Sequence, residues 1–160
     1  MEPRAPSDKI SSMKKLKTQT KWRIIICAVV LFGLLSVVFP VEHTNPPVTG
    51  EIEAPEKVMA ILKRSCYDCH SNETVWPWYS YVAPMSWLVS DDTQVARAHM
   101  NFSEWSSYSA KQQNHKRKEC GEEVEEGEMP LWFYLPLHQE ADLSSEDIEL
   151  ILKWSKGELF

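Results

Sequence analysis

The hydrophobic and polar positions of the chain form one continuous apolar run, followed by several periodic segments. The run covers residues 24–41 and contains no charged residue, so it reaches about 18 residues, close to the minimum for a helix that crosses a bilayer. Seven basic and two acidic residues precede it, and this excess of positive charge favours a cytoplasmic N-terminus. We therefore predict a basic cytoplasmic tail over 1–23 and a single transmembrane anchor over 24–41.

A cleaved signal peptide and a buried core helix are the alternatives for this segment. A signal peptide fits less well because the preceding 23 residues are long for one and residues 36–40 offer no small-x-small cleavage site. A core helix fits less well because the segment is apolar on all sides and adjoins a basic tail. An uncleaved anchor with a cytoplasmic N-terminus puts everything after residue 41 on the other side of the membrane, and we expect this to be the periplasmic side of a bacterial inner membrane.

Beyond the anchor the pattern changes to a linker and then to a helix. Residues 42–53 are rich in Pro, Gly, Thr and acidic residues, which is typical of a tether between a membrane and a domain. Pro55 suits the first turn of a helix, and Val58, Ile61 and Leu62 then repeat at helical spacing. We expect residues 66–70 to lie at the C-terminal end of this helix.

Further helices are predicted later in the chain. Residues 71–87 contain three Trp, two Tyr and two Pro and indicate an irregular aromatic loop, after which residues 84–99 regain helical spacing. Ser109 can cap a polar, solvent-facing helix. The expected core face of the helix over 84–99 comprises Trp87, Leu88, Val95 and His99.

The last helix has the clearest boundaries. Ser144 and Asp147 form a capping-box pattern at its start, and Gly157 is a suitable stop at its end. Its core face comprises Ile148, Ile151, Leu152 and Trp154. Because the sequence contains no pair of strand-like segments joined by the turn residues of a β-hairpin, we predict an all-α domain over 54–160.

The first helix ends in the most informative motif of the chain, Cys66-Tyr67-Asp68-Cys69-His70. This CxxCH spacing sets two thiols about one helical turn apart, so that haem vinyl groups can alkylate both, and the adjacent imidazole can coordinate the iron. We therefore expect haem c, attached covalently through Cys66 and Cys69, with His70 as the proximal iron ligand. The aromatic loop that follows could cover a porphyrin, although ordinary core filling explains its rings equally well.

A second axial ligand is expected if the haem carries electrons, and Met129 is the best candidate. It follows a flexible Glu-Gly-Glu segment, and Pro130 restricts its backbone to extended conformations, which helps a loop to hold a ligand. A thioether ligand also raises the reduction potential. The competing assignments are an open sixth position and the following four residues: Met85, Met100, His99 and His138. His43 and His115 lie in polar surroundings and are expected to be solvated.

The charge of the part that follows the anchor limits its partners. Of the 17 basic and 23 acidic residues in the chain, seven and two precede the anchor, so 10 and 21 lie from residue 42 onward. The resulting net charge of about −11 argues against nucleic acid and against anionic lipid as partners of this part. A redox partner protein with a basic docking surface is the expectation, and the N-terminal helix supplies the contact with the membrane.

Three classes of function are consistent with these residues. The favoured one is a membrane-tethered electron-transfer haem protein, in which no residue is catalytic. The second is a haem enzyme or a gas or peroxide sensor, which requires an open or displaceable sixth ligand. The third uses the cysteines without haem, as a thiol–disulfide centre or as a zinc site with Cys120 and a histidine. It fits less well because the helical pattern precedes the CxxC and a second close-spaced ligand pair is lacking.

Several motifs together resemble the bacterial haem-binding domain family over residues 54–156. The resemblance implies a domain similar to small cytochromes c, with haem on Cys66 and Cys69, His70 proximal and Met129 distal. It implies no particular substrate or pathway. The matching residues are Cys66, Cys69, His70, Asn72, Thr74, WPWYS at 76–80, Pro84, Ser86, Trp87, NFSEW at 101–105 and GEMP at 127–130.

Overall fold

A computed structural model describes residues 6–158, with side chains from residue 17 onward, and it confirms the all-α prediction. Within that range there is no β-strand, and one isolated parallel bridge joins Gly50 to Glu104. The helices are α1 (Pro6–Val38), α2 (Glu56–Ser65), α3 (Tyr67–His70), α4 (Met85–His99), α5 (Ala110–Glu125) and α6 (Ser145–Ser155), and 3₁₀ turns lie at Trp78–Tyr81, Trp105–Ser107, Leu135–Leu137 and Gln139–Ala141.

The chain divides into two compact units, of which the first contains α1 and Trp78–Leu88. Helix α1 is continuous from Pro6, so the described part of the basic tail belongs to the same helix as the apolar run. Its stretch Lys17–Val38 has 22 residues and is long and apolar enough to be a candidate membrane span. The side chains of that stretch are exposed rather than buried in the protein, so the alternative of a buried core helix is wrong.

The second unit contains Glu42–Pro77 and the chain from Val89 onward, and it holds one hydrophobic core. The core is built around α6, which packs against both α2 and α5. Helices α2 and α6 each present an apolar face, and α5 adds Cys120 and Val124. Phe102, in the loop after α4, is fully buried among these residues. The buried apolar members are Ile52, Val58, Ile61, Leu62, Tyr67, Met100, Phe102, Trp105, Cys120, Val124, Ile151 and Trp154.

The helix boundaries predicted at Ser109, Ser144 and Gly157 are confirmed, whereas the helix of the anchor predicted over 24–41 runs from Pro6 to Val38. Ser109 and Gln112 form a full capping box at the start of α5, and Ser144 and Asp147 form another at the start of α6. Gly157 ends the last helix in the left-handed region, with φ of 70°. Three of the four residues predicted for the core face of that helix are confirmed, since Ile151 and Trp154 are buried and Ile148 packs against the core, whereas Leu152 is only partly buried.

The face predicted for the helix over 84–99 is wrong. Val95 is 61% exposed and Leu88 is 42% exposed, whereas Ser90 and Thr93 are buried. The hydroxyl of Thr93 donates to the Val89 carbonyl at 2.8 Å, so its burial leaves no hydrogen bond unmade. The buried side of α4 is therefore polar: Thr93 and Ser90 bond within the helix, whereas the buried hydroxyl of Ser86 has no partner among the described residues.

The segment 42–53, predicted as a linker, runs along the second unit for part of its length. Ile52 is buried, and its amide donates to the Phe102 carbonyl at 2.8 Å. The amide of Gly50 donates to Ser103, and its carbonyl accepts from the Ser106 amide at 3.2 Å. A Cβ on Gly50 would lie 1.7 Å from the Ser106 hydroxyl oxygen, so this close approach requires glycine.

Candidate haem-binding site

The CxxCH motif forms one helical turn at the junction of α2 and α3. The Cys66 amide still donates to the Leu62 carbonyl at 2.9 Å, and the Cys66 carbonyl accepts from the amides of Cys69 at 3.2 Å and His70 at 2.9 Å. Residues three and four apart in such a turn lie on one face. By this spacing, both thiols and the imidazole belong to one face of the turn, and their role as a haem-attachment site stays a prediction.

His70 is held in a defined orientation and tautomer. Its Nδ1 lies 3.0 Å from the Met100 carbonyl oxygen, and because a carbonyl can only accept, Nδ1 carries the proton. Burial is the main cause that lowers the pKa of this imidazole, so its neutral form is favoured. A neutral ring with a proton on Nδ1 presents the lone pair of Nε2, which is the donor that an axial iron ligand needs.

The backbone around His70 is fixed by the loop that follows α4. The Phe102 amide donates to the His70 carbonyl at 2.7 Å, and the rings of His70 and Phe102 have centroids 6.0 Å apart. The same phenylalanine stacks on Tyr67, with centroids 5.5 Å apart and planes 20° apart. His70 thus lies close to a buried aromatic residue that also contacts the motif.

Both motif cysteines are unpaired and partly buried. Burial raises the pKa of the Cys66 thiol, and burial together with the nearby Asp68 raises the pKa of Cys69 to about 11. Catalytic thiol–disulfide centres need the opposite shift, because the thiolate is their nucleophile. The setting therefore does not favour that alternative, whereas free thiols on one helical face suit attachment of a porphyrin.

The two residues between the cysteines connect the motif to different parts of the second unit. The Tyr67 hydroxyl donates to Glu51 Oε1 at 2.9 Å, a bond that lowers the pKa of Glu51. The Asp68 carboxylate accepts from the Val75 amide at 2.9 Å and from the Tyr134 hydroxyl at 2.8 Å. Neither connection was predicted from the sequence, since the pattern leaves these two positions unspecified.

A buried amide network supports the loop after the motif. Asn101 Nδ2 donates to Asn72 Oδ1 at 2.8 Å, and the Asn72 amide donates to the Ser103 hydroxyl at 2.9 Å. The Ser103 amide in turn donates to Asn101 Oδ1 at 3.0 Å. All three residues are buried, and these contacts give the Asn72 and NFSEW motifs a structural role.

Arg97 is a second support that sequence reasoning missed. Its guanidinium donates to the Ser71 carbonyl at 2.7 Å, to the Thr44 carbonyl at 2.9 Å and to the Thr74 hydroxyl at 2.8 Å. It also lies over the Trp76 ring, 5.9 Å from the centroid. An arginine within a helical pattern carries no signal of such contacts, because a solvated position is the ordinary expectation.

Met129 lies just after α5 and packs against the core while remaining partly buried. Its amide donates to the Glu123 carbonyl at 3.2 Å, and the chain then turns at residues 131–134, where the Tyr134 amide donates to the Leu131 carbonyl at 2.9 Å. Since Tyr134 also reaches Asp68, the segment that carries Met129 is tied directly to the CxxCH turn.

The structure also places the other candidate ligands. His99 is exposed, with Nε2 3.2 Å from Glu119. The carbonyl of Met100 contacts His70 Nδ1, so this part of Met100 lies on the side of the ring away from Nε2. His138 has Nδ1 3.1 Å from Glu140 and stacks on Tyr134. His115 is exposed, as expected, but His43 is partly buried against Trp76, with centroids 4.6 Å apart, so its predicted solvation is wrong.

These residues fit a haem. One helical turn supplies two thiols and one imidazole, which is the donor set for thioether attachment and axial ligation. The indole nitrogen of Trp76 is buried and has no acceptor among the described residues, and a propionate oxygen is an acceptor of the kind it lacks. Within the same described range, no three or more His, Cys, Asp or Glu side chains are grouped to hold a bare metal ion.

Comparison with known proteins agrees with this reading of the site. The family described as the haem-binding domain matches residues 29–157, which include the CxxCH turn, the network around Asn72 and the segment of Met129. Neither the curated proteins nor the solved structures gave a match to the chain. Because the family match extends over most of its length, this chain belongs to the haem-binding domain family.

Proposed function

We propose that this protein is a membrane-anchored monohaem c-type cytochrome that transfers one electron at a time. The observation that carries the proposal is the CxxCH turn, whose histidine presents Nε2 because Nδ1 is bonded to the Met100 carbonyl at 3.0 Å. When bound, the haem supplies an iron that accepts one electron from a reduced partner and gives it to an oxidised one. Membership of the haem-binding domain family supports the cofactor.

The roles of the site residues follow from this proposal. Cys66 and Cys69 would form the thioether bonds to the haem, and His70 and Met129 would be the two ligands of its iron. A six-coordinate iron suits electron transfer, because little has to move when the oxidation state changes. Met129 is favoured over its rivals because its segment is bound to the motif through Tyr134, whereas His99 is exposed and paired with Glu119.

The cellular setting is part of the same proposal. Helix α1 would anchor the protein in the bacterial inner membrane with its N-terminus in the cytoplasm, so that the haem domain lies in the periplasm. The anchor keeps the domain near membrane-bound redox proteins and raises their effective concentration. The acidic balance of the part after residue 41 favours a partner with a basic docking surface.

Covalent attachment is tested with the full-length chain in a bacterium that has a c-type haem maturation system. After denaturation, a haem-stained gel and a pyridine haemochrome spectrum should report one haem per chain. Cys66→Ala combined with Cys69→Ala should abolish the stain, whereas Cys120→Ala should retain it. A haem-free product despite a working maturation control would overturn the proposal.

The distal ligand is tested by replacing Met129 with alanine. The iron should change from low spin to high spin, and the ferrous protein should gain the ability to bind carbon monoxide. Met59→Ala is a matched control, because Met59 is also partly buried and packed against the core. If the unmodified protein already binds carbon monoxide as readily as Met129→Ala, the sixth position is open and an enzyme or a gas sensor becomes the better description.

A further inference from the structure

Asp68 makes three contacts that join the haem-attachment turn to later parts of the chain. Its carbonyl accepts from the Thr74 hydroxyl at 2.7 Å, and one carboxylate oxygen accepts from the Val75 amide at 2.9 Å. The other carboxylate oxygen accepts from the Tyr134 hydroxyl at 2.8 Å, across 66 positions in the sequence. The first two contacts close the loop after His70, whereas the third reaches the segment that follows Met129.

Tyr134 is itself held in place by a neighbouring ring. Its phenol stacks on the imidazole of His138, with centroids 4.0 Å apart and planes 5° apart. His138 Nδ1 lies 3.1 Å from Glu140 Oε1, at the next 3₁₀ turn. Tyr134 therefore meets Asp68 as part of a packed group rather than as a single exposed side chain.

The segment from Met129 to Tyr134 is consequently fixed at both ends. At its start, the Met129 amide donates to the Glu123 carbonyl at the end of α5. At its end, the Tyr134 hydroxyl donates to the carboxylate of Asp68, which lies between the two cysteines. A segment fixed at both ends has less conformational freedom, so a side chain that it carries is held closer to one position.

We propose that the Asp68–Tyr134 hydrogen bond positions the sixth ligand relative to the haem-attachment turn. This inference rests on the proposed function, because it takes Met129 as that ligand. Asp68 is covalently next to Cys69 and so moves with the porphyrin edge, while Tyr134 moves with the ligand segment. Their bond therefore couples ligand placement to haem attachment, and Asp68 and Tyr134 are positioning residues rather than ligands.

The test uses the full-length holoprotein in detergent and the rate at which carbon monoxide displaces the sixth ligand of the ferrous iron. Tyr134→Phe removes the hydroxyl but keeps the ring, and Asp68→Asn removes the charge but keeps the size. Because a hydrogen bond to a charged group is worth a factor of about ten or more in an equilibrium, Tyr134→Phe should raise the rate of carbon monoxide binding about tenfold. Asp68→Asn leaves an amide that can still bond to the Tyr134 hydroxyl, so it should give a smaller rise in the same direction. The double variant should be no more accessible than Tyr134→Phe alone, since without the hydroxyl the charge of Asp68 has no bond to Tyr134 left to strengthen.

Tyr67→Phe is the matched control. Its hydroxyl also donates to a carboxylate, that of Glu51, at 2.9 Å, but Glu51 precedes the motif in the chain. It should leave carbon monoxide binding within about twofold of the unmodified protein, even if it lowers stability to a similar extent. An equal rise in Tyr67→Phe would mean that general loosening is responsible and would overturn the inference.

Met129→Ala separates failure of this inference from failure of the proposed function. If Met129→Ala opens the iron to carbon monoxide but Tyr134→Phe and Asp68→Asn do not, the positioning role is wrong and the ligand assignment stands. If Met129→Ala changes nothing, the ligand assignment itself is wrong, and the inference fails with it. Should Tyr134→Phe yield no holoprotein, Asp68→Asn decides the question through the absorption band of the methionine–iron bond in its visible spectrum. A weaker band would support the positioning role, and an unchanged band would overturn it.

Discussion

Replacement of Phe102 by alanine is expected to be among the most destabilising single changes in the haem domain. The side chain is fully buried and is the largest of the completely enclosed residues. It stacks on Tyr67, tilts against Trp105 at a centroid distance of 6.2 Å and approaches His70. Its backbone bonds to His70 and Ile52 do not depend on the ring, so the substitution removes packing while leaving those hydrogen bonds possible.

The expected cost follows from the enclosure of the ring. Phenylalanine-to-alanine changes in cores lower the free energy of unfolding by about 3–5 kcal/mol, and the absence of exposed area places Phe102 near the middle of that range, at about 4 kcal/mol. With a urea dependence of about 1–1.5 kcal/mol per molar, the unfolding midpoint should fall by about 3 M. Phe102→Leu keeps most of the volume and should cost only about 1–1.5 kcal/mol.

The assay is urea unfolding of the full-length protein in detergent, followed by tryptophan fluorescence, because Trp105 and Trp154 are buried in the same core. Phe133→Ala is the matched control, since that ring is 41% exposed and its loss should cost about 1 kcal/mol or less. If Phe102→Ala lowers the free energy of unfolding by less than about 2 kcal/mol, or by no more than the control does, the reasoning that this enclosed ring is a main contributor to stability is refuted.

Two further changes test the helix contacts. A Cβ on Gly121 would lie 2.5 Å from the Ser155 Cβ. Gly121→Ala should therefore lower the free energy of unfolding by about 1–3 kcal/mol, although alanine has the better helix propensity. Adding Ser155→Gly should restore part of the lost stability in a double-mutant cycle. Burial raises the pKa of Asp147, but hydrogen bonds from Ser144 and Arg64 outweigh it and hold the pKa below the usual 3.8. Its stabilising effect should therefore be complete above the unfolded pKa and disappear as the pH falls through the lower folded pKa, so the stability difference between the unmodified protein and Asp147→Asn should shrink on acidification from pH 7 to about 3.

The features that could be predicted from the sequence are those encoded by neighbouring residues. The capping boxes at Ser109 and Ser144 connect positions three apart, and the helical ends need only a glycine or a proline nearby. The CxxCH turn is also local, because its geometry follows from helical spacing alone. Such contacts cost little conformational entropy, so the local sequence decides them before the rest of the domain is considered.

The inverted face of α4 shows where hydrophobic periodicity misleads. Leu88 and Val95 are exposed while Ser90 and Thr93 are buried, because a hydroxyl can satisfy itself against a carbonyl of its own helix, as Thr93 does with Val89. Burial of such a residue then costs little. An exposed leucine or valine is common on protein surfaces, so the apolar positions alone could not decide which side faces inward.

The supports of the site were out of reach of sequence reasoning for a different reason, namely the distance along the chain. Arg97 joins its own helix to Ser71 and to Thr44, and Tyr134 reaches back to Asp68 over 66 positions. Such pairs depend on how distant loops pack against one another in the folded domain. Neither hydrophobic periodicity nor a short motif contains that information. Asp68 is itself a position that the CxxCH pattern leaves open, although its carboxylate joins the attachment turn to the Met129 segment. Under the proposed function, the residue between the two cysteines therefore also affects the ligand supplied by Met129, which makes Asp68→Asn a test of that ligand as much as of the motif.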